Sequence, residues 1–201
     1  MFCLGRPFNM NQFVVDFFDT LADRWDELCT HDSDKLNYLL QRTGLRKGLR
    51  ILDIGCGTGV LEEFLLPYSP IQIVGVDFSP KMIQKAQSKY RTPLVDFRCM
   101  DVHDIRDEIF DYIIAYSVFP HFFNPKKTIA HLANLLVSGG EFVICHSEGR
   151  DRINGLHTKQ ANKLSKNLPS VVDLIKLLSP YFTIQTAEDN ENLYLVRAIR
   201  R

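Results

Sequence analysis

The amino-acid sequence predicts an α/β protein built on a doubly wound, Rossmann-like sheet. Strand-like apolar segments alternate with amphipathic helix-like segments from residue 50 onward, and this alternation is typical of parallel sheets with right-handed crossovers. A glycine-rich loop follows the first strand directly, as in many ligand-binding sheets. We expect seven strands, five parallel and two in a C-terminal antiparallel hairpin, in three α/β/α layers with a helical N-terminal appendage.

Residues 1–48 are predicted to form this helical appendage, as a cap or lid over a domain that spans residues 49–201. Apolar side chains recur every four residues from Phe13 to Trp25, which is the spacing of one helix face. A second apolar pattern leads to Gly44, a typical helix stop.

Each strand of the predicted sheet is an apolar run bounded by turn residues or by the start of a helix. Ser79-Pro80 and Asn124-Pro125 place a capping side chain before a proline, the usual beginning of a helix. The last two strands are separated by a short polar turn, which predicts a hairpin. The predicted strands cover residues 50–54, 71–77, 94–99, 110–116, 141–146, 181–188 and 193–199.

Composition excludes several classes of function. The 201 residues include 24 basic and 24 acidic side chains, so no net charge favours nucleic acid or an anionic membrane as partner. No apolar run approaches the ~18 residues of a membrane span. The five scattered cysteines lack a Cys-x-x-Cys pair, which is typical of reduced thiols, and the N-terminus lacks a secretory pattern. We expect a cytoplasmic protein.

The loop after the first strand departs from loops that bind dinucleotides. Residues 55–59 read Gly-x-Gly-x-Gly, and Val60 takes the place of the third glycine in the dinucleotide fingerprint. Asp53 precedes the loop, where a carboxylate would repel a pyrophosphate but suit a cationic ligand. Asp77 ends the second strand and can accept hydrogen bonds from both hydroxyls of a ribose. This nucleoside site without a phosphate site suits S-adenosylmethionine.

These features together resemble the class I S-adenosylmethionine-dependent methyltransferases. The resemblance covers about residues 48–147 and the closing hairpin, and residues 17–26 are similar to the N-terminal helices of small-molecule members. The matching segments, in the family's order, are Ile-Leu-Asp-Ile-Gly-Cys-Gly-Thr-Gly at 51–59, Val-Asp-Phe-Ser-Pro-Lys-Met at 76–82, Cys-Met-Asp-Val at 99–102, Phe-Asp-Tyr-Ile-Ile at 110–114 and Leu-Val-Ser-Gly-Gly at 136–140.

The resemblance implies S-adenosylmethionine as cofactor, S-adenosylhomocysteine as product, and a role for each matching residue. Asp53 would hold the amino group of the methionine part, and Asp77 would hold the ribose hydroxyls. Phe78 would flank the adenine, Asp101 would accept from its amino group, and Tyr116 would line the methionine end near the sulfonium. The implied cofactor-binding residues are Asp53, Gly55, Cys56, Gly57, Gly59, Asp77, Phe78, Asp101, Val102, Tyr116 and Ser117.

The methyl acceptor would lie between the loops that leave the fourth and fifth strands. Transfer requires the nucleophile, methyl carbon and sulfur in line, and a base only where the nucleophile loses a proton. The candidate bases or acceptor contacts are His121, His146 and His157; Phe18, Trp25, Arg150 and Asn154 are candidate acceptor contacts, although the two aromatic residues could equally serve only to dock the helix. No metal site is predicted, and His31, His103 and His131 are interpreted as surface or packing residues.

A methyltransferase acting on a small molecule is the leading hypothesis, with the acceptor atom left open between oxygen, nitrogen, carbon and sulfur. The fourth strand is not followed by the Asn/Asp-Pro-Pro-Tyr motif of base and glutamine N-methyltransferases. Two alternatives remain: a cofactor-binding subunit without activity, and a methyltransferase of RNA or protein. The second has only Lys159, Lys163 and Lys166 in its favour. The oligomeric state is not indicated.

Overall fold

A single seven-stranded sheet forms the centre of the molecule. The computed structural model describes residues 12–155 and 164–201. The strand order is β3-β2-β1-β4-β5-β7-β6. The strands are β1 Arg50–Ile54, β2 Gln72–Asp77, β3 Val95–Cys99, β4 Phe110–Tyr116, β5 Leu136–His146, β6 Phe182–Asp189 and β7 Tyr194–Arg200.

The pairing of the strands confirms the predicted fold class. Strands β1 to β5 are parallel to one another, whereas β7 runs antiparallel to both β5 and β6. The sheet order reverses at β1, which lies between β2 and β4. In open sheets this switch point opens a crevice outside the carboxyl ends of the strands, and the candidate site lies there.

Helices cover both faces of the sheet, and each face has its own apolar core. Helices α6 and α8 pack over one face, against side chains such as Leu52 and Ile113. Helices α3 and α4 pack over the other face, against side chains such as Ile51 and Ile114. The helices are α1 Gln12–Leu21, α2 Trp25–Leu28, α3 Ser33–Gln41, α4 Glu62–Leu65, α5 Pro80–Lys89, α6 Pro125–Leu135, α7 Arg150–Gly155 and α8 Val171–Leu178.

Capping side chains begin helices α5 and α6 where the sequence predicts. Ser79 Oγ accepts a hydrogen bond from the backbone N of Met82 at 3.2 Å. Asn124 Oδ1 accepts one from the backbone N of Lys127 at 3.2 Å. Each cap satisfies a backbone donor that the first helical turn leaves open.

Strand β5 is longer than predicted. It begins at Leu136 directly after α6, rather than at Glu141. Its pairing with β4 shifts register between Phe110 and Tyr112, and Gly139 has a φ of 76°. The two consecutive glycines were interpreted as the end of the helix, but they lie within an irregular start of the strand, where glycine accommodates the left-handed backbone.

The N-terminal segment is helical from residue 12, as predicted, and contributes to the core. Leu36, Leu39 and Leu40 of α3 are at most 1% exposed and join the apolar cluster beside β1. Helix α1 lies against α5. No helix within the described ranges is long and apolar enough to cross a membrane.

Candidate active site

The switch point of the sheet contains a cavity of about 350 Å³ between the strand ends and the N-terminal helices. The loop after β1 and the last residues of β2 and β4 form one wall. Helices α1 and α2 and the segment between α2 and α3 form the opposite wall. The residues that carry its chemistry are Asp53, Gly57, Asp77, Tyr116, Ser117, His121 and His146 on the sheet side, and Phe18, Trp25, Cys29 and His31 on the helix side.

The glycine loop turns sharply from β1 toward α4, and its backbone requires glycine. Gly55 has a φ of 67°, and a Cβ atom placed there would lie 2.4 Å from Cγ2 of Val118. Gly59 has a φ of 82°, and its Cβ would lie 3.0 Å from the ring of Tyr90. Larger residues would therefore displace the loop from the strand ends, where a ligand can approach its backbone closely.

Asp77 holds the glycine loop and the start of α5 together. Its Oδ2 accepts a hydrogen bond from the backbone N of Gly57 at 3.1 Å, and its Oδ1 accepts one from Ser79 N at 2.8 Å. Burial raises the pKa of Asp77 to about 6, although these two hydrogen bonds act in the opposite direction. A carboxylate has about four acceptor positions, so Asp77 can still accept from two ribose hydroxyls.

Asp53 is a buried carboxyl group without a full set of partners. It is 1% exposed, it lines the cavity, and its Oδ2 has no hydrogen-bond partner among the described residues. Burial, and then the charge of Asp77, raise the pKa of Asp53. An ammonium group in the cavity would satisfy this oxygen. The residues present therefore fit the amino group and the ribose of S-adenosylmethionine.

Glu62 is a second buried acid beside the loop, and it is not among the site residues predicted from the sequence. It is 0% exposed, and neither carboxyl oxygen has a hydrogen-bond partner in the described part of the chain. Burial, and then the charge of Asp53, raise its pKa. Its position behind the loop adds to the acidic surroundings of Asp53.

A second cavity, of about 530 Å³, adjoins the first at Phe78 and His121. Asp101 and Val102, the predicted adenine contacts, line it. Asp101 Oδ1 accepts a hydrogen bond from the backbone N of His103 at 2.9 Å. The same oxygen lies 2.8 Å from Nδ1 of the His103 ring. The predicted nucleoside residues thus lie along one continuous depression, from Asp53 to Asp101.

Aromatic rings close the first cavity from the N-terminal side. The ring of Phe18 lies 5.5 Å from Trp25, 5.9 Å from Phe78 and 5.3 Å from His121, in edge-on contacts. Such contacts add to the apolar burial of each ring. Phe18 and Trp25 therefore both line the cavity and dock the helices that carry them.

Acidic side chains attach these helices to the cofactor side of the site. Asp19 Oδ1 accepts from Ser79 Oγ at 2.5 Å and from the backbone N of Lys81 at 3.1 Å. Asp26 accepts from Thr58 Oγ1 at 2.5 Å, within the glycine loop. Ion pairs of Lys85 with Asp23 and of Lys89 with Asp26 add further contacts between α5 and the N-terminal helices. The helix side of the cavity is thereby joined to the loop itself.

His31 lines the cavity, although the sequence predicts a surface or packing residue at this position. It lies between α2 and α3 and is half-buried. Its Nδ1 is 2.8 Å from the hydroxyl of Tyr116, and that hydroxyl donates to Ser147 Oγ at 3.0 Å. The sequence does not place His31 at the cavity, because its partner lies 85 positions away, which no local pattern indicates.

The predicted candidate bases have different surroundings. His121 Nδ1 bonds to the backbone O of Leu164 at 2.8 Å, and its ring borders both cavities. His146 is 1% exposed and lines the first cavity. His157 lies outside the described residues, as do Lys159 and Lys163. The roles of the three histidines stay predictions.

Arg150 and Asn154 do not themselves line either cavity, although Ile153 between them lines the first. Arg150 forms ion pairs with Asp151 at 3.0 Å and with Asp189 at 3.2 Å. Asn154 exchanges two hydrogen bonds with the backbone of Leu168, at 2.7 and 3.1 Å. Both side chains fasten neighbouring segments, and a contact with an acceptor stays a prediction for each.

Ser117 follows β4 with a φ of 55°, which is an uncommon backbone conformation for a residue with a side chain. Its backbone N bonds to the O of Cys145 at 2.9 Å, and this holds it at the cavity wall. Strained residues of this kind are concentrated at functional sites.

Within residues 12–155 and 164–201, no group of three His, Cys, Asp or Glu side chains is placed to hold a metal ion.

Comparison with known proteins identifies relatives of this chain. The family model described as "Methyltransferase domain" (Methyltransf_31) matches residues 45–196. The chain is 31% identical over 144 residues to a ubiquinone biosynthesis O-methyltransferase of Xanthomonas campestris pv. campestris, with 66% of this chain and 59% of that protein covered. It is 31% identical over 156 residues to a malonyl-[acyl-carrier protein] O-methyltransferase of Anoxybacillus flavithermus, with 77% and 60% covered. The chain thus spans about three fifths of the length of these two relatives.

A solved structure shares the fold of this chain. The N-methyltransferase NodS of Bradyrhizobium japonicum WM9, in complex with S-adenosyl-L-homocysteine, superposes with a TM-score of 0.73 at 18% identity. The superposition covers 93% of this chain and 98% of NodS.

Proposed function

The chain belongs to the methyltransferase domain family of class I S-adenosylmethionine-dependent enzymes, and we propose that it methylates a hydroxyl group of a small, uncharged aromatic molecule. The observation that carries the proposal is the first cavity. One wall has the buried carboxyl groups of Asp53 and Asp77, and the other has aromatic rings and the imidazole of His31. Bound S-adenosylmethionine would supply an activated methyl group and leave as S-adenosylhomocysteine.

The three parts of the cofactor would lie in different places along the two cavities. Asp53 and the glycine loop would hold the methionine part in the first cavity. Asp77 and Phe78 border both cavities and would hold the ribose. Asp101 and the backbone of Val102 would contact the adenine in the second cavity. Cys56 and Ser117 would form the remaining contacts, because both line the first cavity.

The chemistry of the cavity favours a small and uncharged acceptor. The residues between 12 and 155 that line the first cavity include no lysine or arginine, so a carboxylate acceptor would lack a cationic partner. Phe18 and Trp25 offer flat apolar surfaces instead. Of the two relatives, the ubiquinone enzyme is named for a ring compound and the malonyl enzyme for a group with a free carboxylate. The aromatic lining without lysine or arginine suits a ring compound better than a free carboxylate.

We also propose that residues 1–48 act as the cap over a domain of residues 49–201. Helices α1 and α2 supply one wall of the cavity, and Asp19 and Asp26 attach that wall to the loop and to α5. A closed wall excludes water from the transfer and helps to hold the acceptor in line. A cavity of about 350 Å³ between two walls also favours a small molecule over RNA or protein.

The cellular location that we propose is the cytoplasm. Cys29, Cys56, Cys99 and Cys145 are free thiols, as expected in a reducing compartment.

Transfer assays with matched acceptors test the proposed function. Formation of S-adenosylhomocysteine would be measured with catechol, with 3,4-dihydroxybenzoate and with malonyl-N-acetylcysteamine, beside calorimetric binding of S-adenosylhomocysteine. We expect micromolar binding and turnover of catechol at least about tenfold faster than of either anionic compound, since each anion lacks a cationic partner in the cavity. Absence of binding would refute the cofactor site. Binding without transfer to catechol, or faster transfer to an anion, would refute the proposed acceptor class.

A further inference from the structure

His31 reaches the cavity from the N-terminal segment and faces the end of β4. The segment between α2 and α3 places it among the lining residues, with Asp53, Ser117 and His146 on the sheet side. Its ring centroid lies 5.5 Å from that of Tyr116. An imidazole at this position can meet an acceptor that enters beside the methionine part of the cofactor.

A chain of two hydrogen bonds orients the imidazole. Nδ1 of His31 is 2.8 Å from the Tyr116 hydroxyl. The Tyr116 hydroxyl donates its proton to Ser147 Oγ at 3.0 Å. In the arrangement in which the Tyr116 hydroxyl donates to Ser147, its oxygen accepts from His31 Nδ1, because a hydroxyl has one proton to donate. The proton of a neutral His31 ring is then on Nδ1, and Nε2 presents a lone pair.

The surroundings keep the ring neutral in the ligand-free protein and support it once it is charged. Burial lowers the pKa of His31, while the charge of Asp26 on α2 opposes this effect. Burial also raises the pKa of Tyr116 to about 12, so the phenol remains protonated and keeps its bond to Ser147. Asp26 is placed to stabilise an imidazolium that forms during the reaction.

On the basis of the proposed function, we propose that His31 is the general base of the methyl transfer and that Tyr116 and Ser147 hold it in the competent tautomer. The O–H bond of the acceptor breaks, and its proton passes to Nε2 of His31. The oxygen keeps the electron pair and forms the new bond to the methyl carbon, while the pair of the broken carbon–sulfur bond stays on sulfur. Positive charge thus passes from sulfonium to imidazolium, which later loses its proton to water.

The other histidines of the cavity are less suited to this role. His121 lies beside Phe78, where the two cavities meet, and this is the nucleoside end of the proposed cofactor site. His146 is 1% exposed and packs edge-on to Tyr194 at 5.9 Å between ring centroids. His31 is half-buried, belongs to the wall opposite the carboxyl groups, and is bonded through Nδ1 to Tyr116, which leaves Nε2 for an acceptor.

The tautomer of His31 provides a test that needs no acceptor. Imidazole ¹⁵N–¹H correlation spectra of the full chain at neutral pH would be recorded for the wild type, His31→Gln to assign the signal, and Tyr116→Phe. A His131→Gln variant is the matched control, since its ring bonds to Val102 O. We expect the proton on Nδ1 in the wild type and a shift toward the Nε2–H form in Tyr116→Phe. An Nε2–H wild-type ring would overturn the inference.

Kinetics with catechol then separate a base from a structural residue. We expect His31→Gln to lower kcat by about 100-fold, the scale of general-base catalysis, with KM for catechol and Kd for S-adenosylhomocysteine changed less than about threefold. The rise of kcat with pH through the pKa of His31 should disappear. Tyr116→Phe should lower kcat by about tenfold. An unchanged kcat in His31→Gln, or loss of the pH dependence in His121→Gln instead, would overturn the inference. Loss of S-adenosylhomocysteine binding by the wild type would refute the proposed function and leave the tautomer result standing on its own.

Discussion

The two ends of the sheet hold their buried carboxyl groups in opposite ways. Near the amino ends of β1 and β4, Glu141 is 4% exposed and pairs with Arg46 at 2.8 Å and Arg197 at 2.6 Å. At the carboxyl ends, Asp53 is 1% exposed, and its Oδ2 has no hydrogen-bond partner among the described residues. Burial of an uncompensated carboxylate is costly. Glu141, whose charge is balanced by two arginines, stabilises the fold at the amino end. Asp53, at the carboxyl end, is suited to bind a cationic ligand.

The largest difference between the ends should appear in cofactor affinity. Asp77→Ala removes the proposed ribose acceptor at the carboxyl end, and we expect Kd for S-adenosylhomocysteine to rise about 100-fold, since each hydrogen bond to a charged group contributes ~1.5–3 kcal/mol. Asp111→Ala is the matched control at the amino end, where the carboxylate accepts from Arg50 N at 2.8 Å. Calorimetry should find its affinity unchanged. Equal losses of affinity in Asp77→Ala and Asp111→Ala would contradict the assignment of the cofactor site to the carboxyl end.

The free energy of unfolding, in contrast to cofactor affinity, should depend on the carboxyl group at the amino end of the sheet. Glu141→Gln leaves two arginines without their carboxylate, and we expect the free energy of unfolding to fall by about 2 kcal/mol. This is less than the ~3–5 kcal/mol of a fully buried pair, because the Arg46 side chain is 57% exposed and can be hydrated. Urea unfolding at neutral pH would measure the change through the midpoint.

Asp53→Asn is the matched variant for that measurement. Because its pKa is raised by burial and then by Asp77, the wild-type carboxyl group is largely protonated, and a neutral amide costs the ligand-free protein little. We expect no loss in the free energy of unfolding. A loss as large as that of Glu141→Gln would mean that Asp53 has a stabilising partner of its own.

The smallest effect is an exchange of protons on binding. An ammonium group beside Asp53 favours its ionised form, so binding of S-adenosylhomocysteine at pH 7 should release up to about one proton. By linkage, affinity should fall as the pH is lowered from 7, because binding requires ionised Asp53. It should fall further as the pH passes the pKa of Asp77, which is about 6, because the ribose contact requires ionised Asp77. Calorimetry in phosphate and Tris buffers measures the release through the difference in apparent enthalpy. Asp53→Asn should abolish most of it, whereas proton uptake by the wild type would contradict the assignment.

The sequence predicts the sheet and the carboxyl groups of the site because both depend on local patterns. Asp53 and Asp77 end their strands, and a parallel sheet brings such ends together. His31 could not be found in this way. Its partner Tyr116 is 85 residues distant, and its neighbours indicate only the N-cap of α3 at Asp32. The start of β5 was also missed, since Gly139 reads as a helix stop until its place beside β4 is known.

The attachment of α1 to α5 has a consequence for how the chain folds during synthesis. Asp19 contributes to the start of α5, yet Ser79 and Lys81 lie about sixty residues later in the chain. The N-terminal helices therefore leave the ribosome well before their docking surface exists, with Phe18 and Trp25 still uncovered. Contacts of such long sequence separation form late, and early apolar segments are open to aggregation. Chaperone demand and expression yield should therefore respond to substitutions at Phe18 and Trp25.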